Sequence, residues 1–259
     1  MLFIALKHIK AQRANLQQTN YLAAATPVFA SVMLGHAIAA RLGSKDLGVG
    51  IIHHAAHPHV ERMPNKGGFL QGEPVLYRGA TGDIASGGGG PMENAVQPAV
   101  TGDLDVSLII AVDGVPSMER VEEVITEMRL RLAGGIVPAL PRVEIKAGLD
   151  EAIRSCGRGF WIHDATGTVK ARLGDGMDII DAIMTPDPTG WYVPATLGYR
   201  ALTRFRKRAG ARDDLDHAYG EPLVGLVRYQ SVKSPDFEPL GLWKHQWIGD
   251  STFVVTQGD

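Results

Sequence analysis

The chain has 259 residues, enough for one large domain or two small ones around a buried core. A hydrophobic share of 45% and a charged share of 21% exclude disordered, collagen-like and coiled-coil classes. A formal charge of -2 excludes a protein that is basic throughout but not one with a local basic patch, and the single cysteine, Cys156, excludes an intramolecular disulfide framework. The 31 glycines and 15 prolines imply many turns.

The opening residues alternate apolar and polar side chains and then turn basic, the reverse of a secretory leader, so a cytoplasmic location is expected. Phe3, Ala5 and Ile9 among Lys7, His8 and Lys10 predict a half-buried strand over 2–12. A helix follows, with Thr26 as N-cap, Pro27 at its first position and Val28, Phe29, Val32, Met33 and His36 on one face. That apolar stretch is about 16 residues long, short of the roughly 20 a bilayer needs, so no membrane span is expected. Val49, Ile51 and Ile52 read as a buried strand running into a histidine-bearing extension. Periodicity then disappears over 63–101, which is rich in Gly and Pro. A loop of that length is usually functional or disordered.

Order returns with a strand over 104–112, a Ser117-capped helix with Val121, Val124, Ile125, Met128 and Leu132 on one stripe, and a short strand over 143–146. The sequence of elements predicts an α+β protein: a ferredoxin-like (RRM-like) βαββαβ body over 1–147 with an insertion at 63–101. The remainder, 148–259, predicts a β-rich C-terminal lobe of apolar-aromatic runs, TVKARL among them, with one short helix near 177–184.

Several clusters could carry chemistry. His53, His54, His57 and His59 admit metal ligation, RNA-facing contacts or ordinary core and surface roles, and no HExxH spacing accompanies them. The glycines at 87–90 match neither the P-loop nor the dinucleotide signature. Cys156 with His163 lacks an orienting third group, and Asp213, Asp214 and Asp216 beside His217 read as a hydrogen-bonded loop. The cluster Arg200, Arg204, Arg206, Lys207, Arg208 and Arg212 around Phe205 concentrates positive charge in a near-neutral protein. Guanidinium groups hold phosphates bidentately and stack on bases, which suits single-stranded RNA. Lys7, Lys10, Arg13, Asn15 and Gln17 form a sparser set along and beyond the first strand, where this fold usually presents its sheet face to RNA. No metal, cofactor or catalytic residue is assigned.

An ordered series of short motifs runs through most of the chain: Ala14-Asn15, His36-Ala37 with Arg41, GVGIIHH at 48–54, LDVSLIIAVDG at 104–114, LRLAGGIVP at 130–138, Gly159-Phe160, GWYVP at 190–194, GYRAL at 198–202, Ala211-Arg212-Asp213, EPLVGLVRYQS at 221–231 and Leu242-Trp243. The series resembles the foot subunit of the type I-F CRISPR-Cas surveillance complex (Cascade), the Csy-two family of Cas-five-type proteins; a short variant or a type IV relative is the nearest other fit. The resemblance implies a non-catalytic subunit that binds the five-prime handle of the guide RNA (crRNA). It also implies contacts to the large Cas subunit and the Cas-seven-type backbone subunit, and to target DNA through the complex. The insertion would be a thumb. The resemblance implies RNA contacts at Asn15, Gln17, His53, His54 and Arg212, which fall on matched motifs; Arg204, Arg206 and Arg208 are expected on charge alone, and Lys10, Arg13, Arg62, Lys66, Arg78 and Arg200 complete the expected set. The alternatives are a guide-RNA-processing endoribonuclease using His53, His54, Lys66 or Tyr77, and a histidine-dependent metallohydrolase.

Overall fold

The computed structural model describes residues 1–19, 22–59, 100–211 and 213–257. In chain order the elements are β1 (Leu2–Asn15), β2 (Gln17–Thr19), β3 (Leu22–Ala23), α1 (Val28–Arg41), β4 (Lys45–Pro58), β5 (Thr101–Asp113), α2 (Met118–Glu127), β6 (Arg131–Leu132) and β7 (Gly135–Ile136). They continue as β8 (Arg142–Lys146), α3 (Leu149–Ser155), β9 (Phe160–Asp164), α4 (Thr166–Gly174), α5 (Ile179–Met184), β10 (Trp191–Ala201), β11 (Gly220–Ser231), β12 (Lys244–Ile248) and β13 (Thr252–Thr256).

The expected ferredoxin-like body with an appended lobe is corrected. Strands from both parts of the chain join one large, curled, eleven-stranded antiparallel sheet in the order β12-β13-β10-β11-β9-β4-β5-β1-β7-β6, with β8 also on β1. The reason lies at the outer edge of β4. Ile52 and His53 pair with Trp161 and Phe160 of β9, and Val49 exchanges both backbone hydrogen bonds with Trp243. An edge that would close a small sheet is thereby filled by the second half of the chain.

Two packed layers flank the sheet. On one face Ile4, Leu6, Ile9, Ala11, Ala14 and Leu16 of the first strand region meet Val28, Val32 and Ile38 of α1 and Val121 and Ile125 of α2. On the other, Phe3, Ala5, Ile109 and Ala111 are covered by Ala152 and Ile153 of α3. The sheet face expected to be open for RNA is therefore partly occupied by a helix that periodicity did not show.

In β1 the inward residues are spaced by two, then three, then two, then three. Register shifts between Leu6 and Ile9 and between Ala11 and Ala14 absorb the extra residues. His8 and Arg13 sit in those bulges with φ of 54° and 53°, the left-handed region that few non-glycine residues adopt. The bulges keep the core side in phase while re-aiming the polar residues between them.

Other expectations shift locally. Thr26 does not cap α1, whose N-cap is Pro27 without a side-chain bond, because the Thr26 hydroxyl is engaged elsewhere. Ser117 does cap α2, accepting from the Arg120 N–H at 3.2 Å. That helix ends at Glu127, and Leu132 lies in the β6–β7 hairpin instead of on the helical stripe. TVKARL, read as strand, is helix α4, while α5 lies where the short helix was expected. Most of the 63–101 insertion lies outside the described residues. No helix among those described is long and apolar enough to cross a membrane.

Gly50 faces the indole of Trp161, which is wholly buried; a Cβ there would lie 2.3 Å from the ring. Gly50→Ala should therefore cost about 1–3 kcal/mol of folding stability by overpacking, and less in a Trp161→Leu background. Urea unfolding of the four proteins measures this; an equal cost in both backgrounds would show that the indole is not the obstacle.

Candidate nucleic-acid interface

The residues expected to contact RNA separate into two surfaces and a buried set. The first surface is a groove of about 650 Å³ beside the first bulge of β1, lined by Lys7, His8, Lys10, Asp105, Arg142 and Ser155 among others. Lys7 is paired with Glu144, which also takes Lys146; these two hydrogen bonds hold the Glu144 carboxyl below its usual range. His8 lies with Nδ1 3.0 Å from a carboxylate oxygen of Asp105 and stacks on His54 with ring centres 4.1 Å apart. His54 Nδ1 donates to the Arg158 carbonyl at 2.6 Å, so Nε2 is left to accept from the Ser107 hydroxyl at 2.7 Å. Burial lowers the His54 pKa, in keeping with a neutral ring. Both nitrogens of His54 are thus committed inside the protein, and Lys10, exposed on this side of the sheet, is the expected contact that remains free to reach a phosphate.

The second surface lies at the other end of the sheet. Residues 202–211 and 213–219 extend the β10–β11 hairpin, tied by reciprocal backbone bonds between Arg206 and His217. Tyr199, Phe205, Tyr219 and Trp247 are 43%, 44%, 67% and 55% exposed, unusually open for aromatic side chains. Tyr199, Phe205 and Trp247 sit on a chain of ring contacts. Tyr199 meets Phe29 of α1 edge-on at 5.1 Å, Phe29 meets Phe253 at 5.9 Å, and Trp247 touches both Phe253 at 5.1 Å and Phe205 at 5.9 Å. Tyr199 borders two hollows. One, of about 160 Å³, also contains Asn15 and Gln18; the other, of about 300 Å³, contains Arg200, Phe205 and Trp247.

Arg200, Arg204 and Arg206 are exposed around these rings. Arg208 has a different duty: its guanidinium donates to the His217 carbonyl and the Thr203 hydroxyl and lies 4.7 Å over the Tyr219 ring, bracing the hairpin. The fold thus brings Asn15 and the arginine cluster, 185 residues apart in the chain, to either side of one tyrosine. Arg13 is exposed and donates its backbone N–H to Asp103.

Two expected contacts are corrected by burial. Gln17 is 9% exposed and His53 5%. His53 belongs to a polar chain inside the sheet–helix core. The Tyr229 hydroxyl donates to the Thr26 Oγ1 at 2.6 Å, and the Thr26 hydroxyl in turn donates to His53 Nδ1 at 2.9 Å. That order requires an unprotonated Nδ1, and burial, reinforced in acid by the neighbouring His54 once that ring is protonated, pushes the His53 pKa down to about 4. Arg62, Lys66, Arg78, Arg212 and Tyr77 lie outside the described residues. The aromatic members of the second surface were missed because each, alone in a strand pattern, reads as core; only interleaving with arginine singled out Phe205.

The His53 ring binds its proton less readily than in the unfolded chain, where the value is 6.5, so its contribution to stability is complete above about pH 6.5 and is lost as pH falls toward 4. At full protonation the loss is on the order of 3 kcal/mol. Urea unfolding between pH 7 and 4 should show a shallower acid loss in His53→Asn than in the parent, and parallel curves would contradict the buried neutral ring. No family model matches this chain, and no curated protein does.

Proposed function

We propose that the chain is a non-catalytic RNA-binding subunit of a CRISPR RNA-guided surveillance complex, holding the five-prime handle of the guide RNA where the large subunit and the backbone filament meet. The motif series supports the family reading. The observation that carries RNA binding is the arginine-fringed row of exposed aromatic rings at Tyr199, Phe205 and Trp247. Single-stranded bases stack on such rings at about 1–3 kcal/mol each, and guanidinium groups beside them neutralise the phosphates. A chain with a net charge of -2 gains RNA affinity by concentrating cations at one place. Selectivity for one handle would come from splayed bases in the hollows on either side of Tyr199, while guide pairing reads the target.

A second reading, guide-RNA processing, has one observation in its favour. His8 is half exposed, oriented by Asp105 and set in a groove with Lys10, an arrangement able to move a proton at a ribose hydroxyl without a metal.

Expression with neighbouring genes should yield the chain bound to a discrete short RNA with a uniform five-prime end; absence of RNA, or random fragments, would contradict the proposal. Replacing Arg200, Arg204 and Arg206 by Gln should weaken handle binding and flatten the log K against log salt slope by about 2. An unchanged slope would remove these residues from the interface. Incubating the purified chain with repeat RNA in chelator tests the rival, since cleavage abolished by His8→Ala would replace the structural role with a catalytic one.

A further inference from the structure

Beside the ring chain of the second surface, where His245 meets Phe253 at 5.6 Å, three side chains from distant parts of the chain converge. His36 projects from α1, Asp46 from the start of β4 and His245 from β12. His36 Nδ1 is 3.2 Å from Asp46 Oδ2 and 2.9 Å from His245 Nε2, and His245 Nε2 is 3.7 Å from the same carboxylate oxygen. The circle through these three atoms has a radius of about 1.9 Å, so an ion lying ~0.7 Å out of their plane reaches all three at the roughly 2.0–2.1 Å typical of zinc. Two nitrogens and one carboxylate oxygen facing one point are served poorly by hydrogen bonding alone, because neutral imidazoles here offer at most one proton each and the two nitrogens oppose one another. A dication at that point satisfies all three lone pairs at once.

The surroundings hold the set in place. The other carboxylate oxygen of Asp46 accepts the Gly48 N–H at 2.8 Å, which fixes the carboxylate as the hydrogen bonds around the ligands of metal sites do. Asp46 is 8% exposed, and the two rings lie 73° apart, presenting separate nitrogens instead of stacking. A register shift between Asp46 and Gly48 re-aims the carboxylate toward α1, and Gly48, at φ 131°, lets residues 242–243 pass closely enough to bring His245 in. Its Cβ, were there one, would lie 2.7 Å from that of Leu242.

We propose that His36, Asp46 and His245 form a binding site for a zinc-class divalent cation. Its fourth position opens to a cavity of about 510 Å³ bordered by Lys45 and Lys244. Two imidazoles and a carboxylate select a borderline transition metal over calcium or magnesium, which prefer all-oxygen shells. The ion ties α1 and β4 to the terminal β12–β13 hairpin. It clamps the hairpin that carries Trp247 and so steadies the second surface without touching RNA.

The other histidine group, His8, His54 and Asp105, is the internal control, since both nitrogens of His54 already serve Ser107 and the Arg158 carbonyl. Untagged protein titrated with zinc alone should bind one ion per chain and unfold at a higher temperature, with magnesium giving neither effect. His245→Gln and His36→Gln should each weaken zinc binding by about 100-fold or more, while His8→Gln leaves it unchanged. Cobalt(II) added to the unmodified protein should show the intense visible bands of a four-coordinate ion, a readout independent of whether any variant folds. Failure to bind zinc, octahedral cobalt spectra, or binding that survives His245→Gln and is lost with His8→Gln would overturn the proposal.

Discussion

Everything beyond residue 148 is placed by the way the outer edge of β4 is occupied. The Trp161 indole packs against Gly50, its strand pairs with Ile52 and His53, and a few residues earlier Val49 is bonded to the backbone of Trp243. Both indoles are fully buried, and the Trp243 N–H finds the Ile162 carbonyl at 3.0 Å, so neither polar nor apolar surface is wasted at the junction of Trp243. This edge forces β11 and β10 to continue the curl of the sheet, which brings Tyr229 over the Thr26–His53 pair and Tyr199 against Phe29. Without that seam the arginine hairpin, the aromatic row and the His36–His245 convergence would have no common frame.

The charge economy follows from the same geometry. On the β1 side several charges are engaged inside the molecule: Lys7 and Lys146 with Glu144 and His8 with Asp105, while Asp103 accepts the Arg13 backbone N–H. On the β10–β11 side Arg200, Arg204 and Arg206 stand among exposed rings, and Arg208 is consumed in bracing them. A protein neutral on average therefore carries one end suited to polyanions.

The longer elements up to residue 146 were legible because they state their structure locally, as the Ser117 cap and the buried run of β5 do; α1 was placed, but its buried face is Val28, Ser31, Val32, Gly35, Ile38 and Ala39 instead of the stripe through Phe29, Met33 and His36, and β2, β3, β6 and β7 were not read. What local pattern could not show was closure. A strand rich in Val and Ile reads alike whether its edge is open or paired, so β4 gave no sign of β9, and a ferredoxin-like body was the natural misreading. The two bulges of β1 were hidden because a spacing of two and three looks like imperfect alternation. Helices α3 and α4 are short and escaped because seven or nine residues span too few turns to establish periodicity. For the site, the arginine cluster was visible as charge density, and Asn15 as part of a motif. The exposure of Tyr199 and Trp247, the burial of His53 and the meeting of His36 with a histidine 209 positions later are properties of packing alone.

In the proposed function, RNA lies across the aromatic row between Asn15 and the arginine hairpin. Photo-crosslinking of the RNA-bound assembly, with the attached peptides identified by mass spectrometry, tests it most directly. Crosslinks on peptides containing Tyr199, Phe205 and Trp247 are the predicted result. Crosslinks confined to peptides carrying His8 and Lys10 or residues 139–158, with none on the aromatic row, would contradict it.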